Sequence, residues 1–255
     1  MKNRLPLQTL IVQVNEIKMS KTSKTKKKKA ESAEWIEDPN ALREKLSKTE
    51  EFLEQNRRLV FIIGGALVAV VLAFIALNYF VDRRDQSAQA NMFQAQYYFE
   101  ADSLNLALEG DGNNYGFLEI IDEYPMTDAA NLAHYYAGVC YLKLGEYEDA
   151  IKHLKKFSSK DLLIRPRAYS LIGDAYMELE DYQSAAKYYK KAVKYKPNEY
   201  FTPTYMMKLA LANEKLGKIA SAVEAYEKLV GEYPNSDRTA DAKKELARLN
   251  ALASN

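Results

Sequence analysis

Three short cassettes recur in the second half of the chain: LGEYEDA at 144–150, LEDYQSA at 179–185 and LGKIASA at 216–222. They lie 35 and 37 residues apart. A period of this size is that of a helix-turn-helix unit, which cannot bury its apolar face alone and must stack on its neighbours. A small residue precedes each cassette, at Gly138, Gly173 and Ala210, and each closes on an alanine, Ala150, Ala185 or Ala222. Four residues after the alanine comes a bulky side chain: Leu154, Tyr189 or Tyr226. Small side chains let two helix axes approach to about 8 Å, the low end of normal packing. The rhythm therefore predicts hairpins that cross at Gly173 and Ala185, with Tyr176 and Tyr189 covering the crossing and keeping their hydroxyls near water.

With 10 glycines and 7 prolines in 255 residues, turn-makers are scarce and long helices are favoured. A degenerate unit precedes the three clear ones: EYPMTD (123–128) echoes EYPNSD (232–237), and FLEII (117–121) reads as a second helix. After the last cassette, Ser236 or Asp237 is placed to cap a final helix, DRTADAKKELARLNAL, whose polar outer face suits the end of a stack. On these cassettes the chain resembles the tetratricopeptide repeat family. The resemblance implies an all-α fold, with about four helical hairpins and a C-terminal capping helix forming an α-solenoid. It also implies a protein-binding groove. Mapped onto this sequence, the groove positions are Leu132, Tyr135, Val139 and Leu142 in the first repeat, then Arg167, Ser170, Asp174 and Met177, then Thr204, Met207, Leu211 and Glu214. The family's carboxylate-clamp variety needs Lys and Asn where Tyr135 and Val139 stand, so a C-terminal-peptide clamp is not expected. An apolar groove bearing Met and Tyr suits a partner helix or an unfolded segment; packing between repeats is the competing role for each of these residues.

Ahead of the repeats, residues 59–77 read LVFIIGGALVAVVLAFIAL, without a charge. As a helix this run covers roughly 28 Å, close to the hydrocarbon thickness of a bilayer. Its 13 Leu, Ile, Val and Phe residues favour insertion by about 4–8 kcal/mol. The expected organisation is a cytoplasmic segment at 1–58, a single transmembrane helix at 59–81 and a periplasmic repeat domain at 82–255. Orientation follows from basic residues near the span. Residues 1–58 hold 14 Lys/Arg against 9 Asp/Glu, and residues 82–255 hold 22 against 26. Beyond Arg83 and Arg84 no Lys or Arg occurs before Lys143. With no glycine between Gly65 and Gly110, the spanning helix either continues into the repeats or breaks near Asp82–Asp85.

On the amino side, KTSKTKKKK (21–29) reads as a solvated tail touching anionic membrane lipid, with no nucleic-acid partner expected. Asp38 and Pro39 suit a helix start. Leu42, Leu46, Thr49 and Leu53 then form a stripe for either the membrane interface or a partner membrane protein, with Trp35 as an anchor. Met19, opening MSKTSKTKKKK, is the expected initiator.

Catalytic chemistry finds no footing. There is no phosphate loop, no Gly-x-Ser-x-Gly and no metal-ligand spacing, so neither an enzyme nor a cofactor is expected. The single cysteine, Cys140, excludes an internal disulfide and reads as a buried small hydrophobe, and His134 and His153 read as structural. Cytoplasmic head, one span, VDRRDQSAQANMFQAQYYFEAD after it and an exported repeat domain together resemble the YfgM-type ancillary subunits of the bacterial Sec translocon. That resemblance implies a non-catalytic adaptor in the bacterial inner membrane. Its expected partners are Sec translocon subunits, a PpiD-type periplasmic chaperone and unfolded client polypeptides. The alternatives are a scaffold organising envelope assembly or cell division, and a mitochondrial import receptor, against which the charge bias argues.

Overall fold

The computed structural model describes Arg43 and residues 53–253. The Lys-rich run, Met19 and most of the expected amphipathic helix with Trp35 lie outside the described residues. No strand occurs among the described residues, and the chain divides into two compact units, 1–75 and 76–255.

Helix α1 is Arg57–Glu100, a single 44-residue element, so no break occurs at Asp82–Asp85. In the first unit its side chains from 61 to 75 are all exposed, Phe61, Ile62 and Leu67 among the largest. In the second unit its character changes. Ala88, Met92 and Ala95, spaced four and three apart, form a buried stripe on one face.

The remaining helices are α2 (Leu104–Glu109), α3 (Phe117–Glu123), α4 (Asp128–Leu144), α5 (Tyr147–Lys156), α6 (Ile164–Glu178), α7 (Tyr182–Lys194), α8 (Thr202–Lys215), α9 (Ile219–Glu232) and α10 (Thr239–Ala253). FLEII is thus the start of α3, a short second helix. The glycine-rich segment ahead of it is held by Asp111. Its carboxylate accepts hydrogen bonds from the Asn113 and Asn114 backbone N–H groups, the Asn114 side chain and the Tyr98 hydroxyl, at 2.6–2.9 Å. Those donors, Asn114 first, hold the Asp111 carboxyl well below the usual carboxylate range.

Regular hairpins follow as α4/α5, α6/α7 and α8/α9. Thr127 caps α4 by accepting from Ala130 N–H at 3.1 Å, and Asp181 caps α7 by accepting from Ser184 N–H at 3.0 Å. Inside each cassette the chain turns through a left-handed residue at the same register: Gly145 (φ 84°), Glu180 (φ 57°) and Gly217 (φ 71°). Helix α10 starts at Thr239, later than a cap at Ser236 or Asp237 would set it. Ser236 Oγ instead accepts from Arg238 N–H at 3.2 Å, and the Thr239 hydroxyl donates to the Tyr233 carbonyl.

The core runs along the stack as a chain of nearest-neighbour clusters. One joins α1, α2, α3 and α4 around Phe117 and Ile120, with the Phe117 and Tyr136 rings stacked at 5.1 Å. The next joins α4, α5 and α6 around Leu154 and Ile172, a small one joins α6, α7 and α8 around Tyr189, and the last joins α8, α9 and α10 around Met206 and Leu229. Each unit packs on the next, which is how a repeat array buries surface that no single hairpin could.

Candidate protein-interaction site

The crossings come first because they fix where every other side chain points. A Cβ on Gly138 would stand 2.5 Å from Leu154 Cγ, and one on Gly173 would stand 2.5 Å from Tyr189 Cε1. Only a hydrogen fits at either place. Ala185 on α7, and Ala210 and Ala222 at the corresponding crossing of α8 and α9, are fully buried. The expectation for the tyrosines needs correction. Tyr189 does cover the Gly173 crossing, but it is buried, and its hydroxyl donates to Asp174 Oδ1 at 2.7 Å instead of reaching water. Burial, with the Asp174 carboxylate beside it, pushes the Tyr189 phenol far up. Tyr176 is half-buried against the Ala185–Tyr189 cluster, as expected, and also stacks on Tyr188 at 5.7 Å. The third repeat repeats the device: Tyr226 is buried and donates to Glu214 Oε1 at 2.9 Å.

The twelve groove positions fall on the first helices of the hairpins. On α4, Tyr135 is nearly buried against Phe157 and Tyr136, and Leu132, Val139 and Leu142 pack on the same cluster. On α6, Met177 packs against Ala185, Tyr189 and Ala212. Ser170 and Asp174 are brought together by a residue that sequence mapping passed over. Lys208 Nζ, from α8, reaches both Asp174 oxygens at 2.7 and 2.8 Å and Ser170 Oγ at 3.3 Å. Arg167 is exposed at the start of the same helix. On α8, Met207 packs toward the last cluster, Thr204 is half-buried, and Leu211 is 46 % exposed. Glu214 is tied to Tyr226 and to Arg248 of α10.

The surface that emerges is less apolar than composition alone implies. Arg167 lies near enough to Tyr135 and Tyr205 for its charge to oppose the burial-driven rise of both phenols. A polar strip of Arg167, Ser170, Asp174 and Lys208 therefore runs between tyrosines, and Arg167 and Leu211 are the groove positions most open to a partner. Lys208 and Tyr205 lay one helical position from mapped residues. The missing signal was the Asp174–Lys208 complementarity, which spans two repeats and 34 residues.

Two other side-chain groups lie buried or half-buried beside these positions. His134 Nδ1 and His153 Nδ1, from α4 and α5, lie 3.1 Å apart, within hydrogen-bond distance, with the tautomers deciding which one donates. Burial, then the neighbouring His153, lowers the His134 pKa to about 4, and burial also lowers that of His153. Cys140 is fully buried, and desolvation pushes its thiol up to about 12, an inert setting.

Known proteins place this architecture. Residues 132–161 and 170–237 each match a family model described as tetratricopeptide repeat. Among solved structures, the fold is similar to a putative kinesin light chain of Podosopora anserina with nearly identical TPR-like repeats. That match has 15 % identity and a TM-score of 0.52, and covers 67 % of this chain and 88 % of that one. The crystal structure of MamA is also similar, at 23 % identity and a TM-score of 0.45, covering 55 % of this chain and 75 % of that one. No curated protein matches the chain by sequence. Those two segments carry tetratricopeptide-type repeats within an all-helical, solenoid-type stack. Repeats of this family are in general protein-interaction scaffolds and not catalysts.

Proposed function

We propose that the protein is a membrane-anchored adaptor whose repeats hold other polypeptides near the exit of the Sec translocon. The observation that carries the anchor is the uninterrupted exposure of residues 61–80, a stretch made almost wholly of Leu, Ile, Val, Phe, Ala and Gly. Soluble monomers rarely leave contiguous apolar patches above a few hundred Å² exposed, and a bilayer is the solvent such a cylinder fits. The basic bias on the amino side supports a cytoplasmic N-terminus, with the repeats in the bacterial periplasm. A reporter fused after Asn255 is then exported; activity there of an enzyme that works only in the cytoplasm overturns the orientation.

The groove on α4, α6 and α8 is the surface we assign to a PpiD-type chaperone or to emerging unfolded chains. Its tyrosines, Met177 and Met207 supply adaptable apolar contact, and Arg167 with the Asp174–Lys208 pair fixes register. Because Tyr135 and Met177 are packed, truncating them confounds binding with stability. Arg167→Glu combined with Leu211→Asp is the cleaner test, since both side chains are exposed. Detergent-solubilised pull-down of the full chain should recover translocon subunits, with chaperone capture reduced in the double variant and helical content intact. Recovery of division or outer-membrane assembly proteins in their place would favour the organiser reading.

A further inference from the structure

A second surface, on the side of the second helices, has a character the groove lacks. Helices α7 and α9 flank a hollow of about 410 Å³ floored by α8. Its floor is apolar, with Ala186 and Val193 of α7, Met206 and Leu209 of α8, and Ala225 of α9. Its rim carries Lys187, Lys190, Lys194, Lys218 and Lys228 against a single carboxylate, Glu224. On the other flank of the same ridge, Lys187, Lys190 and Lys194 line a second hollow with Tyr169 and Tyr195. These three lysines stand at i, i+3 and i+7 on α7, so they share one face, and Lys191 lies between them.

None of the three pairs with a carboxylate or covers a ring among the described residues, in contrast to their neighbours. Lys191 lies over Tyr188 at 4.5 Å and Tyr169 at 5.6 Å, and Lys155 lies over Tyr176 at 5.2 Å. Like charges one turn apart repel, and an anionic partner relieves that repulsion. The partner must also bring an apolar stripe to the floor.

We infer that the α7–α9 hollow, rimmed by Lys187, Lys190 and Lys194, docks an acidic amphipathic helix of a partner protein. The occupant presents an apolar stripe to the half-buried Ala186, Val193 and Leu209, and flanking Asp or Glu to the lysine ridge, as in helix-in-groove recognition. Two rival occupants fit less well. A nucleic acid needs open aromatic faces on which to stack, but Tyr169 is covered by Arg165 at 4.6 Å and by Lys191, and Tyr195 by Lys196 at 5.7 Å. A lipid surface needs apolar side chains that protrude, whereas here they form a recessed floor. This surface is separate from the groove of the proposed function and stands whether or not that groove binds a chaperone.

The test uses the full-length protein in neutral phosphatidylcholine nanodiscs and a fluorescent peptide of roughly five helical turns, with a Leu stripe flanked by Glu. Binding should be saturable and weaken with added salt. Lys187→Gln/Lys190→Gln/Lys194→Gln should lower affinity by about tenfold, the scale of three exposed charge contacts, and the Glu triple should lower it further. Circular dichroism should show unchanged helix content in both. The Arg167→Glu variant should bind the peptide normally. The inference is overturned by equal affinity for a peptide with Gln in place of Glu, by unaltered binding to either triple variant, or by no peptide binding at all. Binding to phosphatidylglycerol vesicles or to a single-stranded oligonucleotide in preference to the peptide also overturns it.

Discussion

Replacing one hydrogen of Gly173 by a methyl would put a carbon 2.5 Å from the Tyr189 ring. That ring cannot swing aside, because it is buried and its hydroxyl is held by Asp174. Gly173→Ala should therefore destabilise by about 1–3 kcal/mol, as overpacking typically does, and lower the thermal midpoint. In combination with Tyr189→Leu the losses should fall short of additive, since the clash is then gone; strict additivity would refute the assignment. The histidine pair makes a prediction in pH. Both imidazoles are held below the ordinary value of 6.5, His134 at about 4, so the folded state keeps them neutral while the unfolded chain takes up protons. The stability this adds is complete above pH 6.5 and is lost as pH falls toward 4. Lys152 and Lys156 reinforce the shift, while Asp122 and Asp149 oppose it. Between pH 7 and pH 5 the wild type should lose more thermal stability than His134→Gln/His153→Gln; equal losses would mean the pair does not titrate as described. At this scale the small residues were legible because a missing Cβ is written in the sequence. The hydroxyl of Tyr189 was not, because Asp174 becomes its acceptor only once both helices are folded.

At the scale of the element, the cassettes share a turn whose second residue must adopt a left-handed backbone. Glycine takes that conformation freely at Gly145 and Gly217, but Glu180 holds it against its own Cβ. Glu180→Gly should accordingly stabilise by about 0.5–1 kcal/mol, and Gly145→Ala should destabilise by a similar amount. Denaturant midpoints moving in the same direction for both would contradict a shared turn geometry. The period of 35–37 residues made these turns visible in advance. The irregular start was only partly visible. FLEII was readable as a helix, but the loop before it takes its shape from Asp111 and from Tyr98, which lies 13 residues upstream. Likewise the final helix was readable from its polar face. Its start at Thr239 depends on the Tyr233 carbonyl capturing the threonine hydroxyl, a contact between a loop and a helix that spacing does not encode.

At the scale of the repeat stack, stability passes between neighbours, so the ends matter most. Helix α10 buries Ala242 and Leu249 against α8 and α9, and Arg248 reaches back to Glu214. A chain ending at Ser236 should expose Tyr226, Leu229 and Met206, unfold at lower temperature and bind an apolar fluorescent dye. An unchanged midpoint with no dye binding would show α10 to be dispensable. The dye measurement should be made with the apolar run held in a nanodisc, so that the exposed apolar surface of residues 61–80 does not compete for the dye.

The sequence by itself determined the helical class, the repeat period, the small residues at the crossings and the one apolar run, because each is a property of local spacing or composition. Which faces remain open was decided only by tertiary structure. Nine of the twelve groove positions, among them Tyr135, Met177 and Glu214, turn toward neighbouring helices or hydrogen-bond across them. Lys208 joins Asp174 across two repeats, and the lysines of α7 gather over an apolar floor supplied by α8 and α9. The physical reason is that a helix fixes which residues share a face, but only its packed neighbours decide whether that face meets protein or solvent.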